Sequence, residues 1–257
     1  MFLFLMFDYI LLAVGFVVFL ISWYYPIPYG RFSTSKGIPN RWFIGLANLP
    51  VLVCLAIKLP EFTDFSSLGK AAFVFLCIHF VFRSILVPVI TGFIYYTDEK
   101  QNSFTILSLF MLYNVIVGIT LADMCSKIES SFLLWLDLPL LIAAGAAWLL
   151  NIYYDIQVNW MRCHAEEGVK DMYVTLKGLE NEFPLLVGLN ITSPNYFFEI
   201  IEWAFFLLLT WRTESFAYFI ATWLILWVRA LEINMWLEGR EKNASKNTVS
   251  VSVGTFS

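Results

Sequence analysis

Polar residues inside hydrophobic segments are costly, so by default each marks a site or a structural contact. Three sets have the residue types and spacing for chemistry. Asn151, Asp155 and Arg162 fall at i, i+4 and i+11, which one continuous helix would carry on a single face. Asn195, Glu199 and Glu202 fall at i, i+4 and i+7, again one face, and Arg229 with Glu232 closes the last apolar segment. Brought together, they would form a pocket for a charged, hydrogen-bonding ligand such as a nucleotide, with Arg162 and Arg229 on its phosphates. The plainer reading is a set of interhelical contacts and interface anchors. His79 and Arg83 are also four apart. Arg83 needs a carboxylate or carbonyl partner, for which Asp8 is the obvious candidate, and the pair reads as structural rather than catalytic.

The elements that must position these residues are membrane helices. Of 257 residues, 60% are hydrophobic, 18% aromatic and only 14% charged, against about 25% charged in a soluble domain. The apolar residues lie in long, nearly uncharged runs, which predicts an all-α polytopic membrane protein with seven transmembrane helices at 3–24, 42–57, 70–97, 104–122, 131–154, 197–211 and 215–230. The first has no basic stretch before it and no cleavage site behind it, and reads as a retained helix. The second is short, and Gly45, Asn48 and Pro50 are expected to interrupt it, as happens where backbone lines a cavity. Arg212-Thr213-Glu214-Ser215 makes the sixth and seventh a tight hairpin. Residues 1–241 form one transmembrane domain, followed by a polar tail at 242–257.

Several classes drop out. A net charge of -4 offers nucleic acid no electrostatic footprint. Cys54, Cys77, Cys125 and Cys163 show no metal or redox spacing, and two histidines exclude a His-rich metal centre, so no metal is expected. No pair of matching broken helices suggests a transporter repeat. Lys58, Lys70, Lys127 and Arg212 lie on the N-terminal side, while eleven of the other basic residues lie opposite. The N-terminus is therefore expected on the lumenal or outer side and the C-terminus on the cytosolic or matrix side. The sequons at Asn190 and Asn243 fall on the latter side and should not be glycosylated.

Four stretches carry a resemblance to the steroid 5α-reductase family, whose relatives reduce enoyl-CoA, polyprenol and sterol double bonds. Pro28-Tyr29-Gly30-Arg31, Ile38-Pro39-Asn40-Arg41 and Leu49-Pro50 resemble the family's PYG-R…IPAR…LP segment. His79 to Ser84 resembles HYFHRT. Asn151-Ile152 with Asp155 and Arg162 resembles N-I-x-x-D and its later Arg. Asn195 to Trp203, followed by Arg229-Ala230, resembles ANxxGEIxEW…RA. The match runs from about residue 25 to 237. It implies a seven-helix fold and an NADPH pocket facing the cytosol, lined by Asn151, Asp155, Arg162, Asn195, Glu199 and Arg229.

The departures fall on the chemistry. By resemblance, hydride from NADPH goes to the β-carbon of an enone while a Glu and a Tyr assist at the carbonyl oxygen. The family's Gln-Glu-Leu-Pro is here Ala47-Asn48-Leu49-Pro50, and the Tyr position is Val87. An amide can donate a hydrogen bond but cannot serve as an acid at neutral pH. The His pair and Tyr of RAxxHHxWY are replaced in Arg229 to Leu237, and the Gly of GEIxEW is Phe198.

The combination suggests a family scaffold that no longer reduces enones and serves as an accessory or structural subunit of a larger membrane complex, in contact with lipids and protein partners and with no catalytic residues of its own. The alternative is an active NADPH-dependent reductase of a lipid enone that uses other donors, such as Asn48 or His79. Resemblance points to the endoplasmic reticulum; a subunit role would equally suit the mitochondrial inner membrane.

Overall fold

The computed structural model describes residues 2–24, 37–94, 101–164 and 193–253, with side chains in fewer. It is an all-α membrane protein. The seven apolar stretches become α1 (Phe2–Tyr24), α2 (Asn40–Lys58), α3 (Ser67–Val81) running through a π-helical turn at Phe82–Leu86 into α4 (Val87–Ile94), α5 (Phe104–Lys127), α6 (Asp137–His164), α7 (Pro194–Thr210) and α8 (Thr213–Val253). Five segments within them are long and apolar enough to cross a bilayer, from Trp42–Asp64 to Thr213–Ile233. The 17 residues of α7 extend about 26 Å at 1.5 Å per residue, just short of the hydrocarbon thickness. A two-residue antiparallel pairing of Ile38-Pro39 (β1) with Gln101-Asn102 (β2) ties the approach to α2 to that of α5.

Helix pairs are set by small residues, as expected where apolar burial gives no preference for a neighbour over lipid. α6 packs chiefly on α7, α2 on α5 and α1 on α8. A Cβ on Gly15 would stand 2.7 Å from Ala221 Cα, so α1 meets α8 backbone to backbone. Gly118 does the same for α5, 2.9 Å from Val51 Cα of α2. The core between them is aromatic: Trp203 lies 4.6 Å from Tyr218, 4.8 Å from His79 and 5.5 Å from Phe206 by ring centroid.

Three expectations change. The second span is one unbroken helix with Pro50 inside it. Gly45 serves contact with α4, where a Cβ would come within 2.5 Å of Pro88 Cγ, and Asn48 returns its amide to its own helix through Nδ2 to Ile44 O at 2.8 Å. These residues therefore close α2 on itself and on α4. The third span stays continuous but carries a π turn, which offsets the residues beyond it from the α3 register. The hairpin before α8 is tighter than expected: α7 ends at Thr210, Trp211 takes the left-handed conformation (φ 47°), and α8 begins at Thr213. Beyond residue 241 the α8 backbone stays helical as far as Val253.

Candidate functional site

The site assembles at the end of the bundle where α6 finishes and α7 begins. Asn151 and Asp155 lie one turn apart on α6, and Asn195 and Glu199 one turn apart on the opening of α7. Asn195 Nδ2 donates to Asp155 Oδ1 at 2.8 Å, joining the two faces. Arg83, delivered by the π turn, completes the cluster. Its Nη1 donates to Asp155 Oδ2 at 3.0 Å and its Nη2 to Glu199 Oε2 at 2.5 Å. With its amide oriented to suit these neighbours, Asn151 accepts from Arg83 Nη2 at 3.0 Å and donates to the Asn195 carbonyl at 3.2 Å. The three ionic side chains are 15%, 23% and 16% exposed, so the pairs hold most of their strength against water.

Four of the six expected site residues, Asn151, Asp155, Asn195 and Glu199, are thus brought together. Arg229 is buried against Glu232 on its own helix, Nη1 to Oε2 at 2.8 Å. The backbone of Arg162 lies in the last turn of α6; its side chain is outside the described residues. Arg83 is the member sequence reasoning set aside. Its expected partner was Asp8, but α1 packs on α8 and α5 rather than on the π turn. Asp8 lies instead within electrostatic range of Asp123, Lys127, Arg212 and Glu214. The usable signal was the arginine itself: a cation in an apolar span must meet carboxylates, and the two helical faces at 151–155 and 195–199 held them.

Deeper in the bundle a second polar pair is sealed. His79 Nδ1 meets Glu202 Oε1 at 2.5 Å, with side-chain exposures of 3% and 0%. His79 therefore has its structural partner, as expected of a residue in a span, and that partner is Glu202 rather than the Arg83 neighbourhood.

The chain matches the family model described as 3-oxo-5-alpha-steroid 4-dehydrogenase over residues 100–247. The chain belongs to this family. Similar relatives extend the match: the 3-oxo-5-alpha-steroid 4-dehydrogenase 1 of Bos taurus is 26% identical over 238 residues, covering 87% of this chain and 86% of the relative. The protein of the same name from Mus musculus is 24% identical over 220 residues, covering 81% and 79%.

Within this family fold the cluster can be weighed against the dinucleotide that the resemblance implies. The amides of Asn151 and Asn195 and the carboxylates of Asp155 and Glu199 suit hydroxyl and carboxamide groups. The phosphates fit less well. Arg83 is shared by two carboxylates and Arg229 is held by Glu232, so in this arrangement neither cation is released to an anion. Phe198 adds bulk where the resemblance implies a glycine, its ring stacked on Tyr154 at 5.5 Å and 2° between planes. The described residues therefore fit the neutral half of the cofactor and, as arranged, not its phosphates. Among the described residues, no group of three His, Cys, Asp or Glu could hold a metal ion.

The proton-donor side is plainer still. Ala47 is buried at 3% exposure in a small cluster with Phe43 and Leu107. The Asn48 amide gives one of its two N–H groups to Ile44 O, and the Val87 side chain is hydrocarbon alone.

Proposed function

We propose that this chain is a non-catalytic member of its family, which keeps the seven-helix scaffold and works as an accessory or structural subunit of a larger membrane assembly. The observation that carries the reading is Asn48: at the position of the family acid stands an amide, which cannot act as an acid at neutral pH and gives one of its two N–H groups to its own helix at 2.8 Å. Enone reduction needs hydrogen-bond or proton donation to an oxygen that gains charge, and loss of one such donor costs roughly 2.7–4 kcal/mol of transition-state stabilisation. With Val87 at the second donor position, little assistance is left. We place the N-terminus on the lumenal or outer side and the C-terminus on the cytosolic or matrix side from the loop charges, in the endoplasmic reticulum, with the mitochondrial inner membrane as the alternative.

The test is turnover. Purified protein in lipid nanodiscs is given NADPH and a 3-oxo-4-ene steroid, the product of the 4-dehydrogenation that its relatives' name describes, and the reduced product is followed by mass spectrometry. The expected result is no reduced steroid, together with migration of the native protein from mild detergent well above its own 29.7 kDa. Steroid-dependent product formation would sink the proposal.

One observation favours a second reading. Asn151, Asp155, Asn195 and Glu199, four of the six residues expected in the pocket, are joined by hydrogen bonds to one another and to Arg83, as an active NADPH-dependent reductase of a lipid enone would need. Under that reading Asp155 and Glu199 exchange Arg83 for cofactor when it binds, and turnover is seen in the same assay.

A further inference from the structure

Between α3 and α6, away from the polar cluster, lies an almost wholly apolar groove of about 440 Å³. α6 packs chiefly on α7, and the space it leaves toward α3 is lined by Lys70, Val74 and Ile78 on one side and by Leu141, Gly145 and Trp148 on the other. Val74 and Ile78 are 44% and 50% exposed, so the groove opens sideways, within the membrane-spanning part of both helices. There is room even over Gly145, where a Cβ would meet nothing within 4 Å. Lipid chains are as apolar as such a wall, so an open groove at this depth is theirs to fill.

Two observations set the level of the groove in the bilayer and the charge at its mouth. Lys70 stands in the first turn of α3, three residues after Ser67. Its ammonium lies 6.0 Å over the Phe62 ring and, among the described residues, is paired with no carboxylate. A lysine at the end of a span lays its stem along apolar surface and carries its charge out to the headgroups. The connection between α5 and α6 marks the same level independently. Phe132 N donates to Ser67 Oγ at 2.7 Å, and the adjoining Leu134 and Trp135 are 70% and 77% exposed. An exposed tryptophan at the end of a span belongs to the aromatic belt at headgroup level. From Lys70 inward to Ile78 the groove then runs about 12 Å, close to the depth of one leaflet of a hydrocarbon core about 30 Å thick.

We propose that the α3–α6 groove holds one acyl chain of an anionic phospholipid, whose phosphate pairs with Lys70. A zwitterionic lipid brings its own cation beside the phosphate and gains less from the lysine; an uncharged lipid leaves the ammonium without an anion. The site shares no residue with the Arg83 cluster and stands whether or not NADPH binds.

The test uses purified protein in nanodiscs that contain, in separate samples, equal mole fractions of phosphatidylglycerol or phosphatidylcholine with the same diazirine-bearing acyl chain. Cross-linked α3 and α6 peptides are quantified by mass spectrometry relative to those of α2, where Val53 and Ile57 are also exposed but Lys58 is already paired with Glu61. Phosphatidylglycerol should label the α3 and α6 peptides about fivefold more than phosphatidylcholine, the worth of one lysine near an anionic lipid surface. Lys70→Gln should bring that ratio close to one and leave labelling by phosphatidylcholine in place. Gly145→Phe, which fills the groove, should reduce labelling by both lipids. Thermal unfolding checks that each variant folds, and the Lys70→Gln ratio decides the matter if Gly145→Phe does not. Equal labelling by the two lipids, a preference that survives Lys70→Gln, labelling unchanged by a folded Gly145→Phe, or no labelling by either lipid, as when a helix of a second copy covers the groove, would each overturn the proposal.

Discussion

Along α2, Ala47 packs under Phe43 and Leu107, and Asn48 bonds the carbonyl four residues back. Across the bundle, α6 and α7 keep their polar residues and join them over long sequence distances, with Arg83 reaching Asp155 and Glu199 across separations of 72 and 116 residues. One wall is packed and bonded within its own helix; the other joins its polar groups as a brace between helices. The contrast separates two demands that a catalytic site makes together. Under the proposed reading, proton donors serve only the reaction and can go without cost to the fold. The cluster around Arg83 also ties the π turn to α6 and α7, and under that reading it would persist without chemistry.

If that division holds, the two walls respond to mutation very differently. Arg83→Ala strands two largely buried carboxylates and should cost about 3–5 kcal/mol, seen as a large fall in the thermal unfolding midpoint in nanodiscs. Adding Asp155→Asn and Glu199→Gln should restore part of it; a lack of recovery would mean the pairs are not what binds the helices. Glu202→Gln removes the charge opposite His79 but keeps a hydrogen-bonding group, with an expected loss of about 1–3 kcal/mol by the same measurement. Asn48→Ala on the other wall should cost less than about 1 kcal/mol, because the deleted bond only duplicates a carbonyl contact within its own helix. A loss there as large as that of Arg83→Ala would erase the distinction.

The scaffold was legible because hydropathy over about twenty residues is a strong signal, and each expected span has its helix. Half of the site was legible for a related reason. Asn151 with Asp155, and Asn195 with Glu199, share helical faces by spacing alone, and the faces do meet. What spacing could not give was the partner of Arg83. A pairing between helices depends on which helices pack, and α1 turned to α8 and α5, leaving Asp8 far from the π turn. The same blindness applies to α2: Pro50 and Asn48 look like breaks, yet a proline inside a helix is tolerated in a membrane when neighbours and local bonds restore its contacts. The sealing of His79 by Glu202 was out of reach in the same way, since 123 residues separate them.

The claim at the centre is that Arg83, shared by two carboxylates, belongs to a brace between helices rather than to a phosphate clamp. The most direct measurement is an NADPH titration of the purified full-length protein, followed by quenching of its ten tryptophans, with an Arg162→Ala, Arg229→Ala double variant alongside. The expected result is no saturable quenching up to millimolar NADPH from protein shown to be folded by its unfolding transition. Saturable quenching of the native protein would contradict the claim, and its loss in an Arg83→Ala, Asp155→Asn, Glu199→Gln variant would return the cluster to cofactor binding.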